Sequence, residues 1–470
     1  MSDRRRKIVV VGGGITGLTA AYTLQQEAQN KKLPLDVVLV ESSLRIGGKI
    51  ETLRHESFII ERGPESFFDS EQYIRKLARD LHIEDQLIQH NDGNTYVAVG
   101  GELHSIPTSV MLGGSSKVTG LVTSSLISLS GKLRAVGDLF IGKSAPSNDE
   151  PISEFFKRRF GSEIVENLVE PLLAGTFAGD IDHLSMQAMF PQFTQLELTD
   201  RSLIIGFLKN RQGFYNTEVE SSTMHYETFK NGLSTLIETL QNQLMENTIR
   251  KGVKVTSVEK NSENVYEIYT QSGEVMTADG VIITTPFKAA QSMLKDIEAV
   301  QAIVPSNSAT IGTVTMAFKK EDITRYKDAI NIFISRNSHF AITSCTFANR
   351  KWDNVCDDDH ELVRIYIGRV GDESIVELSD QEILTTVLND LQTMIGIHVE
   401  PIFAKVTRWQ KAMPQYTVGH SQRVEQLQQA IRTEFPNVLV AGSSYQGISM
   451  PNCVKQGRLA ANELIGNLLQ

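Results

Sequence analysis

The sequence predicts an α/β + α protein. It has a discontinuous Rossmann-like nucleotide-binding domain, a substrate domain on a mixed sheet, and an inserted helical subdomain. Three observations predict this. A strand, glycine turn and helix open the chain. Strand-rich segments of the same character recur near residues 254–286 and 438–469, and between Pro107 and Leu208 strand alternation gives way to helix-like patterns. The 470 residues, 41% hydrophobic and 22% charged, supply ample core for two or three domains of an ordinary globular protein.

The opening unit carries the most chemistry. Ile8–Val11 reads as a buried parallel strand, and Gly12-x-Gly14-x-x-Gly17, with Gly13, Ile15 and Thr16 between, opens a helix through Leu18–Ala21. The first two motif glycines permit a tight turn and close approach of a pyrophosphate, and Gly17 lets the helix pack on the strand. The helix N-terminus then offers unpaired N–H groups to phosphate. Glu41 ends a second apolar strand, Val37–Val40, near the roughly 20-residue spacing of an acid that binds a ribose hydroxyl. Strand, turn, helix, strand and acid in this order are far more specific than a lone glycine motif.

Further along, Lys254–Glu259, Tyr266–Thr270 and Val281–Thr285 read as strands, and Val438–Gly442 precedes a helix over Cys453–Leu469. Packing these on the first sheet makes the nucleotide domain discontinuous. Ile152–Phe160 is expected to be a helix capped by Ser153. Thr313–Phe318 and Leu362–Ile367 suggest a sheet flooring a substrate cavity. The Ser- and Gly-containing apolar stretch Ser115–Phe140 is expected to pack within the helical subdomain rather than touch a membrane, although peripheral contact stays open.

A net charge of −10 argues against general nucleic-acid binding and gives no global attraction to anionic lipid. Cys345, Cys356 and Cys453 are sparse and lack metal spacing, which fits a reducing compartment. Cys345 reads as a buried strand residue. Arg4–Lys7 mimics the start of a signal peptide, but cleavage there would remove the glycine turn. No uninterrupted apolar run of about 18 residues occurs, so no spanning helix and a cytoplasmic location are expected.

These residues resemble the flavin-containing amine oxidase superfamily, over essentially the whole chain. Glu41–Ser42–Ser43–Leu44–Arg45–Ile46–Gly47–Gly48–Lys49 looks like its acid-to-double-glycine motif. The resemblance implies FAD, with Glu41 and Ser42 at the ribose and Arg45, Gly48 and Lys49 at the pyrophosphate and flavin. It further implies Gly63, Pro64, Glu65 and Ser66 beside the isoalloxazine, and the Val255 backbone at adenine. Gly442, Ile448, Ser449 and Met450 would lie beside the flavin pyrimidine, with the following helix aimed at it. Many relatives carry Asp where Ser443 stands. Relatives with covalent flavin use a cysteine near Ser444–Gln446, where this chain has none, so FAD is expected to be noncovalent and no metal is expected.

Two longer blocks narrow the resemblance to the protoporphyrinogen and coproporphyrinogen III oxidase family. Arg408–Trp409 through Pro414–Gln415–Tyr416 to Gly419–His420 is similar to that family's RW-x4-PQY-x2-GH block, and Asn167–Asp180 to its helical block. The closest likeness is to the soluble Gram-positive type, which implies oxidation of coproporphyrinogen III to coproporphyrin III in haem biosynthesis. Oxygen is the implied acceptor and a ferrochelatase the implied recipient. Trp409 is implied near the flavin, and His420 reads as a hydrogen-bonded structural histidine, so no proton-transfer residue is named. Four substrate carboxylates call for cationic partners, and Arg62, Arg336, Lys351 and Arg364 lie in suitable segments. The alternatives are a protoporphyrinogen IX oxidase, an amine oxidase with Tyr445 as one aromatic wall, and a non-catalytic flavin-binding partner. The expected boundaries are 1–70, 230–290 and 405–470 for the FAD domain, 71–106, 209–229 and 291–404 for the substrate domain, and 107–208 for the helical subdomain.

Overall fold

Five parallel strands form one sheet, in the order Ile249–Lys251, Leu35–Glu41, Arg6–Val11, Gly280–Ile283 and Val438–Val440. The computed structural model describes residues 5–106, 125–143, 149–209 and 226–469. The sheet is covered on both faces, so its strands read as unbroken apolar runs. Ile8 and Val10 pack with Leu18, Leu24, Val454 and Leu464 on one side. Val9 and Val11 pack with Val258, Leu427 and Ile431 on the other. Three distant chain segments thus share this sheet.

The second segment only partly joins it. Val255–Lys260, Tyr266–Thr270 and Val275–Ala278 form a separate antiparallel sheet, and only the flanking strands Ile249–Lys251 and Gly280–Ile283 enter the parallel one. Alternating burial along Tyr266–Thr270 marks a strand with one face on the core.

Seven strands make the mixed sheet, in the order Phe403–Pro414, Ser308–Lys319, His360–Ile367, Ile342–Phe347, Ala329–Ile334, Asn94–Val99 and Glu102–Ile106. All pairs are antiparallel except Ala329–Ile334 with Asn94–Val99. Residues 405–414, expected to begin the last nucleotide-domain segment, instead form an edge of this sheet. Their strand pairs with Ser308–Lys319 across a bulge, which blurs the two-residue period at Lys411. Cys345 is fully buried in this sheet, as read from the sequence.

Residues 125–209 are helical where described, including Leu129–Val136, Ile152–Phe160, Glu170–Phe177 and Pro191–Asp200. Ser153 does not cap the second of these helices. Pro151 takes the cap position, and the amides of Ile152 and Ser153 donate to the carbonyls of Leu184 and Ile181 instead. Residues 115–124 of the apolar Ser115–Phe140 stretch lie outside the described residues. The remainder departs from the expectation of packing. Leu126 and Ile127 are buried, but Leu129, Leu133, Val136 and Phe140 are exposed. That helix is anchored at its start, where Ser128 accepts from the Gly131 amide and Glu163 accepts from Ser128, and its far face stays open. Among the described residues no helix is long and apolar enough to cross a membrane, and no group of three metal-ligating side chains occurs.

Candidate active site

The carboxyl ends of the parallel strands open into a cavity of about 2010 Å³ that continues between the mixed sheet and the helical subdomain. This exceeds the roughly 300–1,000 Å³ of an ordinary ligand pocket, enough for two bulky occupants side by side. Its nucleotide end is built by glycines. Gly12 has φ +111°, and a Cβ there would come within 2.7 Å of Thr284 Oγ1. A Cβ on Gly17 would lie 1.9 Å from the Gly12 carbonyl oxygen. Gly14, by contrast, faces open space and caps Ile15–Asn30 with no side chain on the first-turn amides and no acid in the first turn. This is a cradle shaped for phosphate.

Gly12, Gly14, Ile15, Thr16, Glu41, Ser42, Gly48 and Lys49 line this end. Gly13 and Gly17 stand behind it. The Gly13 amide donates to Glu41 Oε2 at 2.7 Å, and Glu41 Oε1 accepts from the Ser43 amide at 2.7 Å, so the turn and the acid fix each other. Arg45 is folded back onto the carbonyls of Ile46, Gly48 and Ile50, and shapes the double-glycine loop from outside the lining. Val255 also stands outside the lining, buried in its antiparallel sheet.

At the centre, Gly63, Pro64, Glu65 and Ser66 form one wall and Trp409 another, with Trp409 Nε1 donating to the Arg62 carbonyl at 2.8 Å. Glu65 pairs with Lys351 and lies 3.7 Å from Arg364, and these cations hold its carboxyl below the usual range despite burial. Glu61, just behind, is pushed up to about 7 by burial, although the Leu233 amide and Thr52 donate to it.

The last wall is Ile448, Ser449 and Met450, the start of the helix Met450–Leu469, which has no acid in its first turn. Gly442 lies behind, its amide 3.0 Å from Gln456 Oε1. Lys49 Nζ donates to Ser443 Oγ at 3.3 Å, and burial lowers the Lys49 pKa. Tyr416, not singled out from the sequence, ties this segment together. Its hydroxyl donates to the Ser443 carbonyl and accepts from the Gly447 amide, both at 2.9 Å. Tyr416 sits in the PQY block, the signal that could have found it.

His420 stacks on Tyr416 at 3.7 Å, and its Nε2 donates to the Tyr445 carbonyl at 2.8 Å. Burial holds its pKa below the usual histidine range, so it is a neutral structural group, as read. Tyr445 borders the cavity, but it is buried and its hydroxyl donates to the Thr285 carbonyl at 3.2 Å.

The four candidate carboxylate-binding cations separate. Arg336 and Arg364 do not line the cavity. Arg336 pairs with Glu170 at 2.8 Å and Arg364 supports the Gly63 carbonyl from behind. Arg62 and Lys351 do line it, but Glu51 and Glu65 already engage them.

A parallel sheet with this glycine cradle, opening into a chamber over a mixed sheet, defines a dinucleotide-binding protein. Residues 15–465 match the model of the flavin containing amine oxidoreductases, and the chain belongs to that family, with FAD as its cofactor. It is 41% identical to the coproporphyrinogen III oxidase of Bacillus subtilis (strain 168), over 99% of each chain. It is 34% identical to the Staphylococcus aureus (strain NCTC 8325 / PS 47) coproporphyrinogen III oxidase, over 98% of this chain and 100% of that one. A crystal structure from Exiguobacterium sp. 255-15 is similar over 100% of both chains, with TM-score 0.86 and 29% identity.

Proposed function

We propose that this protein oxidises coproporphyrinogen III to coproporphyrin III, using noncovalent FAD and oxygen. The full-length 41% identity to the Bacillus subtilis enzyme carries the reading. The cavity supports it, because an apolar chamber beside the Gly63–Ser66 turn suits a tetrapyrrole. The reaction removes six electrons and six protons, so FAD, when bound, passes electrons to oxygen in about three two-electron rounds with release of peroxide.

The chain's own groups bind and orient. The glycine cradle and the amides before Leu18 hold the pyrophosphate, with Glu41 and Ser42 at the ribose. The Gly63–Ser66 and Ile448–Met450 walls hold the flavin ring in place, and the Met450–Leu469 helix directs its positive end toward it. Helical-subdomain residues such as Phe160, Ile164 and Leu172 exclude water from the reacting carbon. Electron-rich pyrroles need no strong base, which fits a neutral His420. Cytoplasmic action and hand-over of the porphyrin to a ferrochelatase complete the proposal.

The purified protein should be yellow and convert coproporphyrinogen III to fluorescent coproporphyrin in air. Yellow protein inert to porphyrinogens yet bleached anaerobically by amines would reject this reading.

A further inference from the structure

Lys132 stands on the helix Leu129–Val136 and lines the cavity where the helical subdomain forms its wall. Among the described residues that this subdomain contributes to the lining, Lys132 alone is charged. Its companions there include Ile127, Ala135, Phe160 and Ile164. The other described basic residues of the lining are engaged. Arg62 pairs with Glu51, Lys351 with Glu65 and Arg432 with Glu463, while Lys49 donates to Ser443. No described residue forms an ion pair with Lys132. The neighbouring acid Glu163 is committed to the start of the same helix through the Ser128 amide and hydroxyl.

A partly buried lysine on an apolar wall, with no acid paired to it among the described residues, fits an anion carried by whatever fills the chamber. We propose that Lys132 binds a propionate carboxylate of the tetrapyrrole. The assignment rests on the porphyrinogen reading above. The apolar neighbours hold the macrocycle, and the flexible lysine stem lets the ammonium meet a carboxylate at the chamber's edge. Because the pair is partly solvated, its contribution falls with salt. It also binds ground state and transition state alike, so it acts on KM rather than kcat.

The test measures coproporphyrin III binding by fluorescence titration of the FAD-loaded protein, beside steady-state oxidation of coproporphyrinogen III. Lys132→Met should weaken binding and raise KM by roughly ten-fold at low salt, the loss of one charge-assisted contact. Its kcat and flavin spectrum should not change. Lys132→Arg should bind like wild type, and Lys132→Gln like the methionine variant. High salt should shrink the difference between wild type and Lys132→Met. Coproporphyrin binding by Lys132→Met within two-fold of wild type, or no rescue by Lys132→Arg, overturns the assignment. Wild-type protein that neither binds coproporphyrin nor oxidises its porphyrinogen overturns the functional reading itself.

Discussion

Gly17 shows how little tolerance the nucleotide turn has. A methyl there overlaps the Gly12 carbonyl at 1.9 Å, and backbone cannot step aside as a flexible side chain can. Gly17→Ala should therefore yield protein with little bound flavin and a stability loss of about 1–3 kcal/mol. Absorbance near the flavin band and a denaturant titration check both. Glu61 makes a second prediction. Its folded pKa, about 7, lies above the ordinary carboxyl value of 4.5. The native state therefore holds this proton more tightly than the unfolded chain. Its contribution is fully present below about pH 4.5 and is lost as pH rises through about 7. Glu61→Gln should flatten the stability profile between those limits, whereas an unaltered slope in urea titrations from pH 5 to 8 would count against it. Individual residues were only partly legible in the sequence. The glycines and Glu41 announce themselves because their neighbours in space are neighbours in sequence. Arg336 and Arg364 did not, because their partners Glu170 and Gly63 are 166 and 301 positions away.

The C-terminal segment and the Gly63–Ser66 turn are each held by a few long-range contacts. Tyr416→Phe removes one hydroxyl that serves both the Ser443 carbonyl and the Gly447 amide. A loss of about 1–3 kcal/mol and several-fold weaker FAD retention should follow, measured by thermal unfolding and flavin release on dilution. The Lys351–Glu65 pair is more sensitive, because Lys351→Met leaves a buried carboxylate with only Arg364 at 3.7 Å. That variant should lose about 3 kcal/mol, and Glu65→Gln in the same chain should restore most of it. A double-mutant cycle by urea unfolding reads the coupling. Elements with a clean period were legible, such as Ile8–Val11 and Ile152–Phe160. The edge strand Phe403–Pro414 was obscured by its bulge, and the helix Leu129–Val136 by apolar residues that the fold leaves facing outward.

On the scale of the whole molecule, three distant segments meet on one sheet and set a dinucleotide cradle against an apolar chamber walled by helices. The segments were visible in the sequence, since each carries an unbroken apolar strand. Their meeting on one sheet was expected from that likeness, but the strand order was not, because it depends on packing between residues hundreds of positions apart. The chamber joins the cradle with no cysteine at Ser444–Gln446, and burial raises the Cys453 thiol pKa and so disfavours its thiolate. All of the flavin should therefore leave the protein on acid or heat denaturation, with none in the pellet. The central claim is that the bound flavin aromatises a porphyrinogen completely. Its most direct test is the ratio of peroxide released to coproporphyrin formed when the purified protein oxidises coproporphyrinogen III in air. Complete oxidation releases about three peroxides per porphyrin. Flavin-loaded protein that forms no porphyrin above the uncatalysed rate, or that releases peroxide without porphyrin, would contradict it.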